Sequence, residues 1–345
     1  MSNNNLLVIG SGIAGLTAAQ AAAKNGFTVH LVEKDGVLGG KAATYACKAT
    51  NNCAKCSACL VLQVRAAVEA EEGIKVYLHS RVSRCGGQPG NYQVQLKTPA
   101  GEVEIQVAGI IVAAGFSPLA PEKRGELGLG WQRGVISALE LEQALAREGK
   151  FVKAYPGVQK IGFVQCVGSR DLALGNEYCS QVCCMYALRL ARKIKHELPD
   201  SEIAVFYMDI QTFGRSFDKY LKEIEEVAQI KLVRGIPAKV FSFPYEKVTV
   251  RYTDSLSGRV ESEQFDLLVL STAITPENEL TELAQTLGIE QNRFGFLANL
   301  EPGNYQSSKK GIYVCGTCQG PKSISDSIAQ ARAVVGQLLT DQATR

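Results

Sequence analysis

Two residue types, cysteine and glycine, carry most of the chemistry that this sequence can do. Eleven of its 345 residues are cysteines, many for a reducing compartment, where structural disulfides are rare. Most fall in three groups: Cys47, Cys53, Cys56 and Cys59; Cys166, Cys179, Cys183 and Cys184; and Cys315 with Cys318. Such grouping favours metal or redox chemistry over packing, and the odd total argues against a closed disulfide framework. The glycines show a second informative spacing, Gly10-Ser11-Gly12-Ile13-Ala14-Gly15, followed by Glu33 and then by Gly39-Gly40.

The group at 166–184 reads C-x12-C-x3-C-C. A helix predicted over Asn176–Leu198 puts Cys179 and Cys183 on one face and turns Cys184 away by ~100°. Cys166 would come from the end of the strand Lys160–Gln165. Four thiolates converging from a strand end and a helix suit a [4Fe–4S] cluster. Zinc also takes four cysteines, and small buried hydrophobes are the packing alternative. The C-x5-C-x2-C-x2-C of Cys47, Cys53, Cys56 and Cys59 leaves three readings open. These are a second cluster or metal site, a redox pair such as Cys53 with Cys56, and reduced thiols in a loop.

The glycine triplet takes its meaning from its position. It follows the apolar strand Leu6–Ile9 and opens the Ala-rich helix Ile13–Lys24, with Phe27–Val32 as the next strand. Gly10 permits the tight turn, Gly12 lets backbone approach a pyrophosphate, and Gly15 lets helix and strand pack closely. The helix N-terminus favours the phosphate charge. Glu33, 23 residues after Gly10, stands where an acid can hydrogen-bond ribose hydroxyls. A dinucleotide site is therefore predicted here. The later stretch Lys160–Asp171 has no such triplet, and Cys166 stands where a pyrophosphate would need bare backbone, so direct reduction by NAD(P)H is not expected.

These groups need an α/β frame. Strand regions are predicted at Gly73–Val82, Gly109–Gly115, Ile203–Ile210 and up to Leu270, and helices at Ser137–Arg147 and Ser216–Ala228. Tyr92–Leu96 and Val103–Val107 alternate about a Pro-Gly turn and predict a hairpin. The length predicts two domains. The expected partition is a first part of a dinucleotide domain at 1–130, an inserted domain carrying the Cys cluster at 131–275, and the second part at 276–345. A net charge of +3 and 21% charged residues give no reason to expect nucleic acid as a partner. No apolar run reaches the ~20 residues of a membrane span. Met1-Ser2-Asn3-Asn4-Asn5 lacks the regions of a signal peptide, so the chain is expected in the cytoplasm. The histidines, His30, His79 and His196, are scattered and predict no triad.

Glu33–Gly40 resembles the E-x-x-x-x-x-G-G that continues the FAD fingerprint of two-dinucleotide-binding flavoproteins. Ile110–Gly115 and Gly311–Gly316 resemble two later strands of that plan, with Thr317 where those proteins have Asp. The resemblance implies thioredoxin/disulfide-reductase-like Rossmann folds and FAD. It places the cofactor along Gly10, Ser11, Gly12, Ile13, Ala14, Gly15, Glu33, Lys34, Gly39, Gly40, Lys41, Val82, Ala114, Gly115, Gly316, Ser323 and Ile324. Cys315 and Cys318 would lie near its isoalloxazine, and a helix starting around Ser323 would aim its N-terminus at the pyrimidine oxygen. Arg170, Arg215 and Lys41 are phosphate or flavin candidates and equally surface charges.

The runs QCVGSRD, YCSQVCCMYA, FYMDIQTFG and CQGPKSISDSIAQA resemble the A-type subunit of heterodisulfide reductase. The short form is similar to that of the heterodisulfide-reductase-like complex of sulfur-oxidising prokaryotes. This resemblance implies a [4Fe–4S] cluster on Cys166, Cys179, Cys183 and Cys184. It also implies electron transfer on thiols, disulfides or sulfane sulfur, with other subunits of such a complex, a lipoate-binding protein and a second copy as candidate partners. A self-sufficient NAD(P)H-dependent disulfide reductase and a structural flavin-bound scaffold are the competing functions.

Overall fold

The computed structural model describes residues 4–211, 217–241, 247–301 and 303–343. Contacts divide the chain into two units. One comprises Met1–Ala43, Ser57–Ser117 and Thr275–Arg345; the other comprises Thr44–Cys56 and Pro118–Ile274. By contacts, therefore, the cysteine-bearing segment up to Cys56 goes with the second unit.

The first unit is built on a five-stranded parallel sheet in the order Ile312–Val314, Gly109–Val112, Asn5–Ile9, Thr28–Val32, Ile74–Tyr77. Its central strands Asn5–Ile9 and Gly109–Val112 are almost wholly apolar because both faces are covered. Leu6 and Val8 join one core cluster with the helix Ile13–Lys24 and the C-terminal helix. Leu7 and Ile9 join another on the opposite face, with Tyr92, Val94 and Leu96. Those last three belong to an antiparallel sheet of Arg81–Gln88, Asn91–Thr98 and Gly101–Val107, which includes the predicted hairpin. The predicted strand region Gly73–Val82 is split: it stops at Tyr77, and Val82 lies in the following antiparallel strand.

The second unit repeats the plan. Its parallel sheet runs Lys231–Arg234, Glu202–Tyr207, Lys160–Val167, Leu267–Thr272, Val135–Ser137. Ile161, Phe163 and Val269 face a core shared with the helices Ala138–Glu148 and Cys183–Glu197. Val164, Leu268 and Leu270 face the other way, towards Val250 and Tyr252 of a second antiparallel sheet. Ser137 caps its helix: its hydroxyl accepts the Glu140 N–H at 3.1 Å, and Glu140 accepts the Ser137 N–H at 2.7 Å, a capping box.

The helix expected from Asn176 begins only at Cys183. Gln181 takes a left-handed φ of 62°, which no helix accommodates. The preceding loop has other partners. The Ser180 hydroxyl lies 2.6 Å from that of Ser169 and accepts the Ile274 N–H at 3.0 Å, and the Tyr178 hydroxyl donates to the Ile274 carbonyl at 3.0 Å. Cys179 is therefore a loop residue, and the helix supplies two of the four cysteines, not three. The helix expected from Ser216 starts, among the described residues, at Phe217. Arg215 and the Thr212–Gly214 end of the FYMDIQTFG run lie outside the described residues.

Candidate functional site

In the first unit, Gly10 turns the chain with φ 95°, where a Cβ would stand 2.4 Å from the Ala113 carbonyl oxygen. A Cβ on Gly15 would stand 1.8 Å from the Gly10 oxygen, so helix and strand meet only through glycine. Gly12 differs: a Cβ there would meet nothing within 4 Å. It is the N-cap of Ile13–Lys24, whose first turn carries no acidic residue and no side-chain cap. The turn thus offers open space in front of a helix N-terminus that no side chain caps, a shape that fits an anionic phosphate. Gly39 seals its flank, bridging to Gly12 and donating its N–H to the Ser11 carbonyl at 2.9 Å.

Glu33 is buried beneath this turn. One carboxylate oxygen accepts the Ser11 N–H at 2.7 Å and the Ser11 hydroxyl at 2.6 Å, and the other accepts the Asp35 N–H at 2.9 Å. Its acceptor capacity beyond these bonds is what a ribose could use. Lys34 and Lys41 pair with Glu277 at 2.9 and 3.4 Å, and Lys41 also lies over the Phe116 ring. Ala114 and Gly115 follow the strand Gly109–Val112, with Gly115 at φ 83°.

The loop after Ile312–Val314 packs on the glycine turn, since a Cβ on Gly316 would meet that of Ala14 at 2.7 Å. Cys315 and Cys318 are fully buried, and burial raises both thiols above their ordinary value. Ser323 precedes the helix Ile324–Ala343 and makes reciprocal bonds with Asp326. Lys322 gave no signal in the sequence. Its ammonium donates to the carbonyls of Gly316 and Gly320 at 2.8 and 2.9 Å and to the Gln319 side chain at 3.2 Å, tying this loop into one piece.

In the second unit the position corresponding to the glycine turn is held by cysteine. The strand Lys160–Val167 slips register between Val164 and Val167, and Cys166 takes φ 57°. That kink breaks the strand's alternation. Cys166 packs with Cys183 and Cys184, the first two residues of their helix, beside Met208 and Ile210. The Cys183 neighbour holds Cys166 below its ordinary range, and Cys166 pushes Cys183 up to about 12. Its bond with Cys183, then burial, raises Cys184 as well. Cys179 accepts the Gln181 N–H at 3.2 Å. Gln165, one residue before Cys166, is 1% exposed with both amide atoms unpaired, a donor and acceptor available to a bound group. Arg170 pairs with Asp209 at 2.6 Å. Among the described residues no three or more His, Cys, Asp and Glu side chains converge in metal-ligand geometry. The donor set of packed thiols nevertheless has the chemistry of a thiolate-held iron–sulfur group.

Of the five remaining cysteines, Cys47, Cys53 and Cys59 are exposed, and Cys56 and Cys85 are half-buried. Among the described residues no helix is long and apolar enough to cross a membrane.

Comparison with known proteins matches residues 4–333 to the family model described as pyridine nucleotide-disulphide oxidoreductase. The chain is 30% identical to the A-type subunit of the H(2):CoB-CoM heterodisulfide,ferredoxin reductase of Methanothermobacter marburgensis, over 95% of this chain and 62% of the relative. It is 29% identical to an A-type iron-sulfur subunit of the CoB--CoM heterodisulfide reductase of Methanopyrus kandleri, over 97% of this chain and 64% of the relative. The chain thus spans less than two thirds of these curated relatives. Among solved structures it is similar in fold to T. acidophilum thioredoxin reductase, with a TM-score of 0.63 at 15% identity and 99% of both chains covered. The NAD-dependent persulfide reductase of A. fulgidus matches with a TM-score of 0.60 at 19% identity, over 97% of this chain and 58% of that one.

Proposed function

The chain belongs to the pyridine nucleotide-disulphide oxidoreductase family, and from that premise we propose that it is the FAD- and iron–sulfur-containing electron-transfer subunit of a heterodisulfide-reductase-like complex. The observation that carries this reading is the exchange at the second unit's strand end. Cys166, Cys183 and Cys184 pack together where a glycine turn would receive a nicotinamide nucleotide. Relatives named as A-type subunits of heterodisulfide reductase, one of them an iron-sulfur protein by name, support it.

On this reading Gly10, Gly12 and Gly15 admit the FAD pyrophosphate and Glu33 orients its ribose. Gly39, Gly40, Ala114, Gly115, Gly316, Ser323 and Ile324 complete the cradle with Lys34, Lys41 and Val82. Cys166, Cys179, Cys183 and Cys184 hold one [4Fe–4S] cluster. FAD, when bound, supplies two-electron exchange, and the cluster supplies single-electron exchange. The chain's own part is to exclude water from the buried thiols and to fix the redox groups on rigid strand ends. The substrates are thiols, disulfides or sulfane sulfur, handled with other subunits of the complex in the cytoplasm, with a lipoate-binding protein or a second copy as further partners.

The test is anaerobic purification followed by FAD, iron and sulfide analysis, then reduction with a one-electron donor under EPR. One FAD, about four irons and an EPR signal lost on oxidation support the reading. A protein that holds FAD but no iron after reconstitution, and that NADPH reduces fast, is instead a self-sufficient disulfide reductase.

A further inference from the structure

The irregular segment that carries Cys47, Cys53 and Cys56 is anchored by buried charge. Lys48 pairs with the Glu142 carboxylate, and the two side chains are 2% and 0% exposed. The other Glu142 oxygen accepts the Ala46 N–H at 2.8 Å. The Lys48 ammonium also stands 5.5 and 5.4 Å from the ring centroids of Tyr45 and Tyr186. Farther along, Arg189 donates to the Lys55 carbonyl at 3.4 Å. A buried ion pair is a weak source of stability, because desolvation offsets the attraction. This one fixes the backbone on both sides of Cys47, whose own side chain is exposed.

The backbone at Cys53 repeats the one at Cys179. In each case the sulfur accepts the N–H of the residue two positions on, Lys55 at 3.4 Å and Gln181 at 3.2 Å. In each case that residue is left-handed, with φ 49° and 62°. Neither is glycine or asparagine, so the conformation is held against local preference. N–H···S bonds of this kind tune cysteine-held metal centres. Tyr186 and Arg189 both lie on the helix Cys183–Glu197. One helix therefore carries two packed cysteines at its start and the anchors of the exposed cysteine segment one to two turns later.

We propose that Cys47, Cys53 and Cys56 form a second thiolate metal centre, distinct from that of Cys166–Cys184, with three protein ligands and one open position. An open position marks a reactive metal site rather than a structural one, and an external thiol is a fitting fourth ligand for a thiophilic metal. The three sulfurs do not meet in ligand geometry as they stand. The Cys47 and Cys53 side chains are exposed and that of Cys56 is half-buried, and a metal would draw the three thiols together. Iron–sulfur and zinc centres share this ligand chemistry.

The test uses the full chain carrying Cys183→Ser and Cys184→Ser, which removes the first centre. It is loaded anaerobically with ferrous iron and sulfide in one arm and with zinc alone in the other, then desalted and analysed. One centre per chain is expected in at least one arm, about four irons or one zinc. Metal content should fall at least tenfold when Cys47, Cys53 and Cys56 are also serine, with the circular dichroism spectrum unchanged. A background variant that binds no metal in either arm, or a triple-serine variant that binds as much, overturns the proposal. So does a Cys53–Cys56 disulfide in anaerobically prepared protein. With the first centre absent throughout, failure here leaves its assignment untouched; iron loss in the single Cys183→Ser variant of the otherwise native chain tests that assignment alone.

Discussion

Cys183, the first residue of a helix, packs against Cys166 at the end of a strand. Its Cys166 neighbour pushes the Cys183 thiol up to about 12, so it is protonated at neutral pH. A thiolate-held metal must expel that proton, so loading should strengthen as pH rises and weaken as it falls. Iron per chain after reconstitution at pH 6 to 9 (roughly the span in which thiols begin to ionise) checks the direction. Cys183→Ser should lose the iron of this centre, about four per chain, and leave FAD in place; undiminished iron in that variant would disprove the ligand assignment.

Gly12→Val separates binding from folding. The space around the Gly12 Cβ direction is empty and its φ of −62° suits any residue, so the apoprotein should fold. The valine would stand where the pyrophosphate approaches. The expected outcome is a protein without extractable FAD and with native circular dichroism. Gly15→Val should fail earlier, because its Cβ would sit 1.8 Å from the Gly10 oxygen and separate helix from strand. A Gly12→Val protein that keeps a full complement of FAD would relocate the site.

The contrast between these glycines and the cysteines shows what the sequence could disclose. A strand–turn–helix with Gly10, Gly12 and Gly15 is a local demand, written within six residues. The disposition of Cys179 is not local. Its loop is held out of the helix by Ser180, which bonds Ser169 and the Ile274 N–H, the latter 94 residues away. The apolar pattern could not foresee that competition. Lys48 was equally hidden, because a lysine in a polar segment carries no sign that a glutamate on a later helix will bury it.

NADH and NADPH should reduce the flavin slowly or not at all. The kink at Cys166, with φ 57°, fills the strand end with packed thiols rather than open backbone N–H groups. Stopped-flow absorbance of the FAD-loaded protein measures this directly. Stoichiometric bleaching within the mixing time would show that a nucleotide binds despite the missing triplet.

Acid should destabilise the first unit through His30. Its imidazole is held below its ordinary 6.5, first by burial and then by Lys75, with Nδ1 3.1 Å from the Tyr77 hydroxyl. As pH falls below 6.5 the unfolded chain takes up the proton before the folded one, so stability drops. Urea midpoints at pH 7 and 5 should differ less in His30→Gln than in the native chain. An equal slope in both would remove His30 from the account.

Lys48 and Glu142 offer the sharpest separation of stability from positioning. Lys48→Met alone strands a carboxylate that burial already pushes up, and the expected loss is about 3–5 kcal/mol. Glu142→Gln alone strands the ammonium, with a similar loss. The double variant removes both charges, keeps an oxygen for the Ala46 N–H, and should return to within ~1 kcal/mol of the native chain by the same logic. If the pair serves only the fold, nothing else should change in that double variant. If it serves to hold the cysteine segment, Cys47 should alkylate with altered kinetics and metal capture by Cys47, Cys53 and Cys56 should weaken by about tenfold or more, although stability has recovered. Urea unfolding and metal titration on the same three variants decide between the two roles, and unchanged metal capture in the double variant would reduce the pair to packing.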